Sequence, residues 1–504
     1  MTTDSQVPTV LLIPLDERPV NTALPQTVGA IGGAQVVLPP AELLPRMRNR
    51  ADPEAVGRWL TERATDSGVI AAVVSIDGLV HGGLIASRTS NDSLGELLRR
   101  LGVFAEIRQR APRVERTAFA TVTRASNSTI ADEDPDYWPA YGPALHEWGA
   151  AAHRRFERVT EPGDAHVADH VPAQVRGDFQ SRRLRNHIVD LELLRMRAAG
   201  LVNKLLITAD DTAPFAAGTV EQRWINHWRE LLELQDVAVY PGADEVACVL
   251  IARLLVGNDP PVRVQLRWAD DAGMQRVPPF ENRRYIEALT SQVQAAGAQI
   301  VQERPEAIVV VHAPGAERVD WCNPRATEAD PSAADRCAEL VVAALNTSLP
   351  VGVVDVRQTN GGDPHLVARL DSRDALSRLS AYGGWNTAGN ATGSTIATLI
   401  ADVIGQRHRV QNQALIKEQV LARVLEDTCY QSSIRRELDG LHGVHLTREN
   451  TDPVGLPAFE DTATSELVAR LRNLHGFEDY QVESATLPWN RSFEIALKLT
   501  RDCD

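Results

Sequence analysis

Residues 205–215 read LLITADDTAPF, an apolar run that stops at two adjacent acids, Asp210 and Asp211. Two neighbouring carboxylates repel each other, and burying either one is costly unless it is paired or coordinated. Two interacting acids whose proton affinities split supply one neutral and one ionised group near neutral pH, which is what general acid catalysis with charge stabilisation needs. Adjacent side chains on a strand point to opposite sides, so both can face one ligand only if the chain turns there. Thr212 and Pro214 mark the place where a turn is expected. The plainer alternative is an N-cap followed by a first-turn acid. Pro214 and Gly218 make a helix starting at Thr212 a poor one.

The same passage from apolar run to polar cluster recurs along the chain. TVLLIPL (9–15) leads to Asp16, Glu17, Arg18 and Asn21. VIAAVVSID (69–77) ends on Asp77 and opens DGLVHGG with His81, then Ser87 and Arg88. TAFATVTR (117–124) ends on Arg124, and VAVYPG (237–242) leads to Asp244 and Glu245. Later, GGWNTAGNATGS carries Trp385, Asn386 and Asn390. Parallel α/β folds gather ligands beyond the carboxyl ends of their strands. Asp210 and Asp211 are therefore the candidate catalytic residues, and the other strand-end groups are candidates for substrate binding. Several have structural alternatives. Asp16 and Arg18 could close a helix N-terminus, Asp244 could cap the helix that EVACVLIARLL suggests, and His81 could be a core histidine. Trp385 could be a core aromatic, although its Gly, Asn and Thr neighbours suit a ligand surface. Gly82-Gly83 has neither a Walker lysine nor the G-x-G-x-x-G spacing of a phosphate loop.

These positions need a scaffold of strands alternating with helices. Uninterrupted apolar strands separated by amphipathic stretches such as PEAVGRWLTERATDSG predict parallel sheet covered on both faces. The alternation continues through VRVQLRW, AIVVVHAP (307–314), VGVVDV (351–356) and LSAYGGWN (379–386). The expected fold is α/β, with an N-terminal half that is either a (β/α) barrel-like sheet or doubly wound. A domain over 1–258 would be followed by a second α/β lobe over 259–405 and a mainly helical region over 406–504. A chain of 504 residues is long enough for two or three cores.

Composition narrows the function. The hydrophobic content of 43%, the charged content of 24% and the net charge of −15 fit a soluble globular protein and argue against a nucleic-acid surface. The basic run around Arg182–Arg197 has helical apolar spacing and reads as a solvated face. Five scattered cysteines without a C-x-x-C pair suit reduced thiols. The N-terminal MTTDSQVPTVLLIPLDE has no basic n-region, and no stretch reaches the roughly 18 apolar residues of a membrane helix. A cytoplasmic protein with no membrane partner is expected, and an assembly of identical chains is compatible with the sequence.

The combination of PLDERPVN (14–21), SIDGLVHGGLIASR (75–88), TADDTAPF (208–215), YPGADEVACVLIAR (240–253) and GGWNTAGNATGS (383–394) resembles a bacterial family known as domain of unknown function 4127. That resemblance covers most of the first 400 residues and implies a shared fold and site. TADDTAP and GWNTAGN also resemble, in order and setting, the site of O-GlcNAcase-type glycosidases. The likeness implies that one aspartate orients a 2-acetamido group while its neighbour protonates the leaving oxygen, and that the W-N motif holds sugar hydroxyls. The leading expectation is a glycoside hydrolase acting on small, N-acetylated sugars, with Asp211 as general acid/base, Asp210 as the orienting carboxylate and no cofactor. One alternative is a hydrolase or lyase that holds Mg²⁺ or Mn²⁺ through the same carboxylates, although no His-x-His or H-E-x-x-H spacing appears. The other is a non-catalytic sugar- or metabolite-binding protein.

Overall fold

The computed structural model describes residues 7–323, 326, 331–442 and 455–501. They divide into two compact units, one of residues 7–26, 34–250 and 280–283, the other of 27–33, 251–279 and 284–501.

The first unit is built on six strands: β1 (Thr9–Ile13), β2 (Gln35–Val37), β3 (Val69–Ser75), β4 (Glu115–Val122), β5 (Lys204–Ala209) and β6 (Ala238–Pro241). Their order is β2-β1-β3-β4-β5-β6, and every pairing is parallel. The sheet is open, with β2 and β6 at its edges, so of the two architectures the sequence allows the chain adopts the doubly wound one and not the barrel. The runs TVLLI, VIAAVVS and KLLITA are almost wholly buried, as strands covered on both faces must be. Val122 stands opposite Ala209, and Ala209 opposite Pro241. This register brings Arg124, Asp210 and Asp244 out of the same edge of the sheet. Helices Trp138–Phe156 and Ala173–Ala198 fill the connection from β4 to β5. They have a small core of their own around Trp138, Leu145, Val171 and Phe179.

The second unit repeats this winding. Strands β7 (Val262–Trp268), β8 (Ala298–Ile300), β9 (Ala307–His312), β10 (Val351–Asp355) and β11 (Ala381–Gly383) lie in the parallel order β8-β7-β9-β10-β11. In both units the second strand flanks the first on one side while the later strands build outward on the other. The three-residue β8 has too short an apolar run to be seen as a strand in the sequence. The C-terminal part contains helices Gln413–Arg423 and Gly455–Leu471. It also contains an antiparallel hairpin that the helical expectation omits, formed by β12 (Tyr480–Thr486) and β13 (Ala496–Arg501). Its alternating pattern, with Tyr480 and Val482 inward, buries one face only.

In each sheet the winding direction reverses beside the first strand, and such a switch point opens a crevice at the carboxyl ends. In the first unit it lies between β1 and β3. There Gly78 passes so close to β1 that an added Cβ would stand 2.2 Å from the Pro14 carbonyl oxygen. Gly78→Ala is expected to destabilise the protein by about 1–3 kcal/mol, read as a lower urea midpoint at unchanged slope. An unaltered midpoint would refute the close packing of these two loops.

Candidate functional site

At the carboxyl end of β1 the chain turns immediately, and Asp16 accepts the Arg18 backbone N–H at 3.0 Å. The same carboxylate takes the Arg18 Nε and Nη2 donors at 3.0 and 2.7 Å. Arg18 Nη2 also reaches Asp244 Oδ1, beyond β6, at 2.5 Å. Asn21 Nδ2 donates to Asp16 Oδ1 and Asp244 Oδ1, both at 3.0 Å. One guanidinium thus holds two carboxylates that come from opposite parts of the sheet. All four side chains are buried. Burial pushes the Asp244 carboxyl above its usual range, against the pull of Arg18 and with the further push of Asp16. Glu245 turns back to accept the Ala243 N–H at 2.9 Å.

The adjacent aspartates occupy the centre of a second network. Asp210 follows β5 and takes the Val122 carbonyl with its own N–H at 3.2 Å. Asp211 then adopts φ +23°, a left-handed turn that non-glycine residues seldom enter. The turn breaks strand alternation, and each carboxylate receives an arginine. Arg88 Nη2 donates to Asp210 Oδ2 at 2.5 Å, and Arg124 Nη1 donates to Asp211 Oδ2 at 3.0 Å. Beyond the turn, Thr212 N–H binds the Phe280 carbonyl at 2.8 Å, which anchors the loop from its far side. The Asp210 side chain is 12% exposed and that of Asp211 26% exposed. Burial, then the Asp210 charge, pushes the Asp211 carboxyl up to about 7, although Arg124 and Arg88 pull it down. A group in that state exchanges a proton readily near neutral pH.

Two acids absent from the sequence-based candidates complete this network. Glu133 Oε2 accepts Arg88 Nη1 at 3.0 Å, and Asp134 Oδ2 accepts Arg124 Nη2 at 2.9 Å. Their signal was the acidic run DEDPD (132–136), which a strand-end search overlooks because it lies several residues past β4. Asp77 is buried within reach of the Arg88 charge and accepts the Thr121 N–H at 3.2 Å. His81 is also buried, but its surroundings are Arg185, Asp92, Arg100 and Arg50, and burial lowers it to about 3. It is a neutral core group at physiological pH and does not join the Asp210–Asp211 network.

Trp385, Asn386 and Asn390 belong to the second unit. Trp385 is only 5% exposed and packs edge-on against Phe493 with ring centroids 6.0 Å apart. Asn386 has φ +65°, and its carbonyl accepts the Asn360 N–H at 2.8 Å. The Asn390 N–H is capped by Thr387 Oγ1 at 3.4 Å at the start of helix Ala388–His408. This motif therefore builds the turn from β11 into its helix. Nearby strand ends hold another buried polar group. His312 Nε2 lies 2.9 Å from Asp363 Oδ2, and Asp355 accepts the Asp363 N–H and the Tyr382 hydroxyl at 2.7 and 2.9 Å. Burial opposes a charge on His312, but the Asp363 and Cys337 contacts outweigh it and raise the imidazole to about 10. Among the described residues no group of three or more His, Cys, Asp or Glu side chains is arranged to hold a metal ion. In the first unit Asp16, Asp244, Asp210, Asp211, Glu133 and Asp134 are directed at arginines instead.

Burial also raises Asp77 from an ordinary 3.8 to about 6, against Ser87, Thr121 and Arg88. The folded chain therefore keeps this proton to higher pH than the unfolded chain does. The resulting stability is complete below the unfolded value and is lost as pH rises through about 6, a change on the order of 3 kcal/mol. Asp77→Asn is expected to flatten the urea-stability profile between about pH 4 and 6 and to be the more stable form at pH 7.5. Superimposable wild-type and variant profiles would contradict this.

No curated protein and no solved structure matches the chain. The family described as "Protein of unknown function (DUF4127)" matches residues 10–498, nearly the whole length, and the chain belongs to that family.

Proposed function

We propose that this protein is a hydrolase of small glycosides, with Asp211 as general acid/base and Asp210 as the carboxylate that orients the substrate. One observation carries the proposal: the Asp211 carboxyl, raised to about 7, stands on a left-handed turn beside an Asp210 already held by Arg88. Glycoside cleavage needs a proton delivered to the leaving oxygen as the C1–O bond breaks. Asp211 is partly exposed and carries a proton in a large fraction of molecules at neutral pH. With a 2-acetamido sugar, the acetamido oxygen would attack C1, and Asp210 would accept the acetamido N–H. Asp211, now ionised, would then take a proton from the water that opens the cyclic intermediate. Arg124 and Arg88 moderate the charge of the pair, so that the proton can return.

The surrounding acids, amides and arginines match a polyhydroxylated ligand, which presents donors and acceptors and little apolar surface. No helix among the described residues is long and apolar enough to cross a membrane. The substrates we envisage are small sugar conjugates in the cytoplasm.

Asp211→Asn is expected to lower kcat/KM on aryl N-acetylhexosaminides by about 10²- to 10⁴-fold, with the largest loss for poor leaving groups and an unchanged circular dichroism spectrum. The wild-type rate should fall as pH rises above about 7, where the acid loses its proton. Unimpaired turnover by the variant, or an alkaline limb that survives the substitution, would sink the assignment.

A further inference from the structure

Twelve large apolar side chains are exposed among the described residues, and seven of them lie in one region of the first unit. Trp224, Trp228, Leu231 and Leu232 belong to helix Ala217–Leu231 and its end. Phe215 precedes that helix, and Phe156 and Val159 close the neighbouring helix Trp138–Phe156. The aromatic part of the patch is continuous. Phe156 and Trp224 have ring centroids 6.0 Å apart, and His227 links Trp224 to Trp228 at 5.8 and 5.9 Å. Trp224 and Trp228 are each 45% exposed, and Leu231 is 60% exposed. Residues at i, i+4 and i+7 share one face of a helix. This helix therefore buries one face, through Gln222 and Ile225, and carries an apolar stripe facing outward. Two half-exposed tryptophans on one helix face are the residues and the arrangement that anchor protein interfaces.

The charges beside the stripe select the partner. Arg223 and Glu230, seven residues apart, lie on the same flank of the outer stripe and at opposite ends of it. Both are mainly exposed, Arg223 beside Glu157 and Glu230 at 3.8 Å from Arg229. If two copies of this helix pack face to face and antiparallel about a two-fold axis near residues 226–227, the same flanks meet with their ends reversed. Arg223 of each copy then faces Glu230 of the other, and the tryptophans interdigitate across the seam. A parallel pairing would send this flank to opposite sides of the seam and make neither pair. The face is thus complementary to itself in one orientation, as a two-fold interface requires.

We propose that helix Ala217–Leu231 is the dimerisation surface of this protein, and that its partner is a second copy of the chain packed antiparallel through Trp224, Trp228, Leu231 and Phe156. The proposal is independent of the glycosidase reading, because it uses none of the residues assigned to the site.

Sedimentation velocity of the full chain tests it. The wild type is expected to sediment as a dimer at micromolar concentration, and Trp224→Glu with Trp228→Glu as a monomer with an unchanged circular dichroism spectrum. Arg223→Glu alone should weaken the dimer by about tenfold or more, since it sets like charges across the seam. Combining it with Glu230→Arg should restore the wild-type dissociation constant to within about threefold. A wild type that stays monomeric up to about 100 μM would overturn the proposal and leave the patch to a different partner. A dimer that survives the double tryptophan substitution, or a charge swap that fails to rescue, would overturn it equally.

Discussion

An arginine buried against two carboxylates has to be satisfied on every side, and Arg18 meets that requirement by joining Asp16 after β1 to Asp244 after β6. Leaving any of these charges unpaired in the interior would cost several kcal/mol. The cluster therefore constrains the loops on both sides of the switch point, and with them the edge from which Asp77, Arg88, Arg124 and Asp210 emerge. Arg88 and Arg124 repeat the arrangement one layer outward, each shared between a strand-end aspartate and an acid from the DEDPD segment. The first unit's carboxyl edge is best described as alternating acids and guanidiniums. Asp211 is the most exposed of the four acids that Arg88 and Arg124 hold.

The second unit meets the same constraint with different groups. It shares the winding of the first, and it also buries polar side chains where β9 and β10 end. Here the cation is His312, held by Asp363, and Asp355 shares the environment with the Tyr382 hydroxyl. Desolvation works against every one of these charges, and specific hydrogen bonds decide which survive. The same competition leaves His81 neutral, since no carboxylate hydrogen-bonds to it, and leaves His312 charged.

Much of this architecture is legible in the sequence because buried parallel strands are uninterrupted apolar runs. TVLLI, VIAAVVS, KLLITA, AIVVVH and VGVVD identify themselves in that way. The short AQI strand and the hairpin of β12 and β13 do not. The first has too few residues for a pattern, and the second is half-exposed and competes with the helical composition around it. Among the polar groups, those directly after a strand were visible, whereas Glu133 and Asp134 were not. Their places depend on how the β4–β5 connection folds back, and no periodicity encodes that.

Residue type and position along the chain thus determined the parallel α/β class, the strand ends and the adjacency of Asp210 and Asp211, because these follow from local hydrophobic pattern and covalent connection, whereas the open sheet order decided for the doubly wound form over the barrel. Tertiary structure decided which partner each charge receives. It gave Arg88 to Asp210 and Arg124 to Asp211, isolated His81, and turned the GGWNTAGN segment into a buried helix start in the second unit. Coulomb attraction and desolvation depend on distance in space and on the local dielectric, and both are set only when segments remote in sequence are brought together.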